Sequence, residues 1–146
     1  MIRLNPWPPM SGLQTRKGRN AVLLDTCALL WLVQGGGRLS QDALQQIDEE
    51  PVVYVSAISG FEIGVKVAKG KLTLPSRPAE WLATIIEHHD LVELPVDLAA
   101  SVRSTELPAI HSDPVDRILI ATAEARGIAV VTADNVFARY GVDVVF

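Results

Sequence analysis

Cysteine is nearly missing from this 146-residue chain: Cys27 is the only one, so neither an internal disulfide nor a cysteine metal site can form. Long apolar runs are missing as well. Charge-free stretches such as Thr26 to Gly37 and Pro51 to Phe61 fall well short of the roughly 18 residues needed to cross a bilayer. The N-terminus has no apolar signal-peptide core, which makes a cytosolic protein the expected reading. Aromatics are scarce at 5%, and Trp31, Trp81 and Phe61 fall at core spacing rather than as a platform for stacked bases. A basic excess is also lacking. The 13 Lys and Arg against 17 Asp and Glu give a net charge of −4, which taken alone argues against a phosphate-rich partner. What is present is ordinary globular material, 49% hydrophobic and 21% charged, at a length that suits one domain with a real core.

The charge is unevenly placed. Arg3, Arg16, Lys17 and Arg19 fall within the first 20 residues, which contain no acid, so all 17 acids lie in the rest of the chain. Residues 1–20 also hold Pro6, Pro8 and Pro9 and show little periodicity, the pattern of an extended, flexible arm outside the fold. Such an arm reads as an over-long start, since Met10 could also initiate, as an inert tail, or as a grip on nucleic acid.

From Asn20 onward, short β-branched runs alternate with helical segments. Ala21 to Leu24 is a continuous apolar run closed by Asp25, as expected of a strand buried on both faces, and a helix through Leu30 and Trp31 follows. Gly35-Gly36-Gly37 breaks it, and Ser40 with Asp42 opens a helix to about Glu49. Val52 to Val55 reads as the second strand. Ile58, Phe61, Val65 and Ala68 mark the apolar face of a helix over Ala57 to Lys69. Pro78 starts another helix, Leu91 to Leu94 gives a third strand, and Asp97 caps a helix that ends before Pro108. Asp113-Pro114 begins a helix closed by Gly127, and strands at Ile128 to Val131 and Val142 to Val145 complete the alternation. This order predicts a three-layer α/β/α domain over residues 21–146 with a mostly parallel central sheet of about five strands.

Four acids fall where such a sheet places its chemistry, outside the carboxyl ends of the strands. Asp25 ends the first strand and Asp134 follows the fourth. Glu62 lies four residues after Ile58 and three before Val65, close to an apolar helix face, and Asp116 precedes Ile118-Leu119-Ile120-Ala121, a turn apolar nearly all round. Buried carboxylates left ionised and unpaired would be costly, and a hard divalent cation such as Mg²⁺ or Mn²⁺ relieves that conflict. Clustered acids of this kind suit metal-assisted phosphodiester hydrolysis. Each also has a plainer reading: Asp113 and Asp116 as N-cap and N3 of a helix, Asp25 as a strand-end turn, Asp134 in an Asx-turn, Glu62 paired with Lys66.

Other candidates fare less well. His111 reads as a local loop contact, and His88-His89 as a solvated helix end. Ser56 and Ser59 read as helix caps, since nothing like Gly-x-Ser-x-Gly surrounds them, and the glycine run lacks the Lys-Ser/Thr of a phosphate loop.

Leu23-Leu24-Asp25-Thr26 with Leu29-Leu30-Trp31 resembles the opening of PIN-domain ribonucleases, especially VapC-type toxins of bacterial toxin–antitoxin pairs. Val55 to Ile63 with Lys69-Gly70-Lys71-Leu72 resembles that family's second block, His111 to Arg117 through Ala121 its third, and Thr132-Ala133-Asp134 with Phe137 its fourth. The resemblance implies a metal-dependent endoribonuclease in which Asp25, Glu62, Asp116 and Asp134 form the Mg²⁺ site, with Mn²⁺ a possible substitute. It further implies Thr132 as an orienting hydroxyl, Asp113 and Arg117 in supporting roles, a homodimer, and a VapB-like antitoxin whose peptide covers the active-site groove. The departures are Val115 for the commoner phenylalanine, Gly60 at a position where a bulky residue is frequent, and the arm before the first strand. Two alternatives remain: a catalytically silent module binding RNA or protein, and a DNA-directed or flap-type nuclease. A haloacid-dehalogenase-like phosphatase is disfavoured because Asp25-Thr26-Cys27 lacks the Asp-x-Asp pattern. On this reading RNA affinity depends on Mg²⁺, with Arg117 and the basic arm supplying fixed positive charge.

Overall fold

The computed structural model describes residues 20–146, so the expected arm lies, but for Asn20, outside the described residues. Five strands, β1 (Ala21–Leu24), β2 (Val52–Ser56), β3 (Val92–Leu94), β4 (Ala129–Val131) and β5 (Val144–Val145), form one sheet in the order β3-β2-β1-β4-β5. Every pairing is parallel, beyond the mostly parallel sheet that the sequence implied. The helices are α1 (Thr26–Val33), α2 (Gln41–Glu49), α3 (Ala57–Ala68), α4 (Pro78–His88), α5 (Leu98–Glu106) and α6 (Pro114–Arg126), with a 3-10 turn at Phe137–Tyr140. Among the described residues no helix is long and apolar enough to cross a membrane.

The sheet is covered on both faces, which is why β1 is apolar without alternation. Val22 and Leu24 face one core with Leu29, Ile63, Trp81 and Ile85, while Leu23 faces the other with Leu119, Ile120, Val130 and Phe137. Helix α6 buries five consecutive residues, Leu119 to Ala123, so it has no solvated stripe through its middle. It starts on an Asp113 cap with Pro114 at the first position and stops at Gly127, whose φ of 62° is left-handed.

Topology places the site. From β1 the chain moves outward to β2 and β3 on one side, then returns to add β4 and β5 on the other. The order reverses between β1 and β4, and in an open parallel sheet the crevice outside the carboxyl ends at such a reversal is the natural binding position. Asp25 follows β1 there, its backbone N–H bonded to Val131 O at 3.1 Å, and Thr132 and Asp134 follow β4.

One helix face differs from the sequence expectation. In α3 the buried residues are Ser59 and Ile63, and Phe61 is 63% exposed rather than part of the core. The periodic reading failed because the inner face is anchored by a polar contact: the buried Thr26 hydroxyl donates to Ser59 Oγ at 2.9 Å. Ser59 is thus an interior partner and not a cap, whereas Ser56 does cap α3, accepting from Ile58 N at 3.2 Å.

Candidate active site

The four acids predicted from sequence line one open pocket of about 330 Å³, together with Thr26, Cys27, Trp31, Arg38 and Ala133. Each arrives on a different element. Asp25 is the N-cap of α1, with Oδ1 accepting from Ala28 N at 2.7 Å, and it is 7% exposed. Glu62 comes from α3, one turn beyond the Ser59 that Thr26 holds, so the Thr26–Ser59 bond ties the two acids' elements together. Asp116 is the third residue of α6. Asp134 forms the Asx-turn foreseen for it, with Oδ1 accepting from Val136 N at 2.9 Å, and still lines the pocket.

Crowding of negative charge in a half-dry crevice shows in the titration of these groups. Burial pushes the Asp25 carboxyl above its usual range, the Thr132 hydroxyl and Ala28 amide pull it back, and the charges of Glu62 and Asp134 add to the rise. Asp116 is pushed up to about 7, chiefly by burial and then by the Asp113 charge; His111 opposes the rise, while Asp25 and Glu62 add to it. The Cys27 thiol is likewise pushed up by burial and by Asp25, so it is a poor nucleophile despite its place in the pocket.

His111 is the residue that sequence reasoning misjudged. The expected loop contact exists, Asp113 N donating to His111 Nδ1 at 3.1 Å, but the other nitrogen reaches the site. His111 Nε2 lies 3.1 Å from Asp116 Oδ2 and 2.9 Å from Asp134 Oδ2. An amide can only donate, so Nδ1 is the acceptor and the ring proton sits on Nε2, pointing at two carboxylates. His111, Asp116 and Asp134 offer atoms within 4.8 Å of one another, a spacing that could hold a cation. With its proton on Nε2, His111 bridges the two carboxylates in the cation-free site. The missed signal was the histidine two residues before the cap Asp113, close enough for Nδ1 to take the cap's own amide.

Three supporting residues stand outside the pocket lining. Thr132 hydrogen-bonds Asp25 while its Oγ1 accepts from Asp134 N at 3.0 Å, linking the two strand-end acids. Asp113 caps α6, Oδ1 accepting from Val115 N at 2.8 Å and Asp116 N at 3.3 Å. Replacing Asp113 by Asn keeps the cap but removes the charge that raises Asp116. We expect Asp113→Asn to bring the Asp116 titration below about 7, read by carboxyl NMR in cation-free buffer. Arg117 corrects the sequence expectation of a fixed charge for substrate: its guanidinium donates to Ser104 O, Leu107 O, Pro108 O and His111 O at 2.8–3.0 Å. Its donors are spent on backbone carbonyls.

The donor set fits a hard divalent cation. Four carboxylates supply the oxygen ligands such an ion prefers, and at least two of them resist ionisation in its absence.

Residues 22–143 match the PIN domain. The chain belongs to the PIN-domain family. This PIN domain is 33% identical over 115 residues to ribonuclease VapC22 of Mycobacterium tuberculosis, covering 78% of this chain and 87% of that protein. Among solved structures, it superposes on FitAcB from Neisseria gonorrhoeae with a TM-score of 0.59 at 21% identity, covering 86% of this chain and 96% of that one. On VapBC2 from Rickettsia felis, bound to a DNA fragment from their promoter, the TM-score is 0.60 at 14% identity, covering 85% and 96%. On DNA-bound VapBC from Salmonella typhimurium it is 0.61 at 19% identity, also covering 85% and 96%. At these identities the structural likenesses establish the fold alone.

Proposed function

We propose that this PIN domain is a Mg²⁺-dependent endoribonuclease, the toxin of a toxin–antitoxin pair, with Mn²⁺ as a substitute ion. One observation carries the reading: four carboxylates from four elements converge on the pocket at the sheet's reversal point, where burial and then the Asp113 charge carry Asp116 to about 7, with Asp25 and Glu62 adding to the rise. Asp25 and Asp116 would hold the cation, helped by Glu62 and Asp134. When bound, the ion polarises the phosphoryl group, activates a water and neutralises the leaving oxygen. The protein's residues do the rest. Thr132 orients Asp25, Asp113 fixes the start of α6 beneath Asp116, and His111 Nε2 holds Asp116 and Asp134 side by side.

The 33% identity to a protein named a ribonuclease supports RNA as substrate. Likeness in fold to the VapBC and FitAcB structures supports a VapB-like antitoxin partner, and the same reading includes a homodimer. The test is cleavage of labelled RNA in Mg²⁺. EDTA should abolish it and Mg²⁺ restore it, single-stranded DNA should compete poorly, and Mg²⁺ should raise the melting temperature because the ion binds only the native state. Cleavage unchanged by EDTA would overturn the mechanism, and efficient cleavage of DNA would overturn the substrate.

A further inference from the structure

The pocket contains one positive side chain that the arrangement above does not use. Among the described residues, Arg38 is the only basic one lining it, against four carboxylates. Its seat is built from the glycine run. Gly35, Gly36 and Gly37 have φ of 83°, 114° and 49°, a turn that side chains rarely allow. A Cβ on Gly37 would stand 2.9 Å from Cβ and Cδ1 of Trp31, so the turn is pressed directly against the indole. The next residue then lies over the ring, with the Arg38 guanidinium carbon 5.3 Å from the Trp31 centroid. Trp31 is braced in turn by Phe146, ring centroids 6.0 Å apart. An exposed arginine ordinarily samples many rotamers, and this one is given an aromatic plane to lie on.

Two arginines beside the site thus differ in use. Arg117 is saturated by carbonyls, whereas among the described residues no carboxylate lies within ion-pair distance of Arg38. Four carboxylates and one divalent ion leave the pocket negative, a poor field for the phosphates on either side of the reacting one. A guanidinium at the rim offsets that repulsion, and its planar fork matches phosphate oxygens.

We propose that Arg38 is a substrate-positioning residue that binds a backbone phosphate next to the scissile one, seated by Trp31 and the Gly35–Gly37 turn. It rests on the ribonuclease reading and names one of that site's substrate contacts. The probe is a fluorescein-labelled single-stranded oligoribonucleotide, followed by cleavage in Mg²⁺ and by anisotropy in Ca²⁺ at increasing KCl. For Arg38→Gln, KM should rise about tenfold with kcat within about twofold, as expected for lost ground-state contact. The slope of log affinity against log salt should shrink by about 0.7, one phosphate contact on a single strand. Arg38→Lys should keep the slope and recover part of the affinity. Trp31→Leu should weaken binding with the slope retained, because the charge remains and only its seat is lost. The Mg²⁺-induced rise in melting temperature should be unchanged in Arg38→Gln, which excludes misfolding or damage to the cation site. Wild-type KM and salt slope in Arg38→Gln, or a fall in kcat alone, would overturn the proposal while leaving the ribonuclease reading intact. A wild-type protein that neither binds nor cleaves the probe would overturn both.

Discussion

Asp116→Asn is expected to lose RNA cleavage by about a hundredfold or more and, at the same time, to make the cation-free protein harder to melt at pH 8. The two effects share one cause. The Asp116 side chain is only 24% exposed, and burial with the Asp113 charge carries its carboxyl from 3.8 to about 7. In the window between those values the folded protein holds a proton that the unfolded chain has released. This contribution to stability is therefore complete below about pH 4 and is lost as pH rises through about 7. Above that, folding confines a charge among other charges, at a cost of at most roughly 4 kcal/mol, reduced to about 2 by partial exposure and relaxation. Asparagine keeps the size and an oxygen able to accept from His111 Nε2, and removes only the charge. A gain of roughly 4–8 °C in EDTA at pH 8 should therefore shrink towards nothing at pH 5, where the wild-type carboxyl is already protonated. Calorimetry at the two pH values checks the sign. A lower melting temperature for the variant at pH 8 would show that Asp116 is a structural cap and that charge crowding does not govern the site. Mg²⁺ should raise the melting temperature of the wild type and raise that of the variant much less.

How far this site could be read from the sequence follows from what periodicity encodes. A continuous apolar run closed by a polar residue fixed both β1 and its terminal Asp25, because a strand buried on both faces leaves chemistry only at its end. The same logic located β4 and the acid after it, and the Asp-Pro start with the Gly stop delimited α6. Spacing does not report which polar groups meet across the fold. His111 and Asp134 are 23 residues apart and touch through loops, which have no period. In α3 the inner face carries Ser59, so a rule that counts apolar residues turned the helix towards Phe61. Arg38 stayed hidden because its role depends on a glycine turn meeting a tryptophan, and glycines in sequence announce a break without saying what they lie against.

Arg117 is the position where a charge read from sequence has the opposite consequence in the structure, and its replacement should give the largest loss of stability. Its Nε donates to Ser104 O at 3.0 Å and its Nη2 to Leu107 O at 2.8 Å, covering carbonyls at the end of α5 that no helical turn can satisfy. Nη1 donates to Pro108 O and His111 O, both at 3.0 Å. Tyr140 closes the same knot, its hydroxyl donating to Pro108 O at 2.8 Å and accepting from His111 N at 2.7 Å. Arg117→Met keeps the stem and removes every donor. Hydrogen bonds to a charged group contribute about 1.5–3 kcal/mol each but do not add, and water can reach part of this loop, so a loss on the order of 3 kcal/mol is expected. That corresponds to a fall of roughly 6–12 °C in melting temperature. Arg117→Lys should recover little, since one ammonium cannot span four carbonyls held by a fork. The loop so released carries His111, whose Nε2 holds Asp116 and Asp134 together, so kcat should also drop about tenfold at temperatures where the variant remains folded. A phosphate-binding arginine would behave in the reverse way, with RNA affinity lost and melting unchanged. If Arg117→Met melts within about 2 °C of wild type yet binds RNA weakly, the knot is not what Arg117 is for.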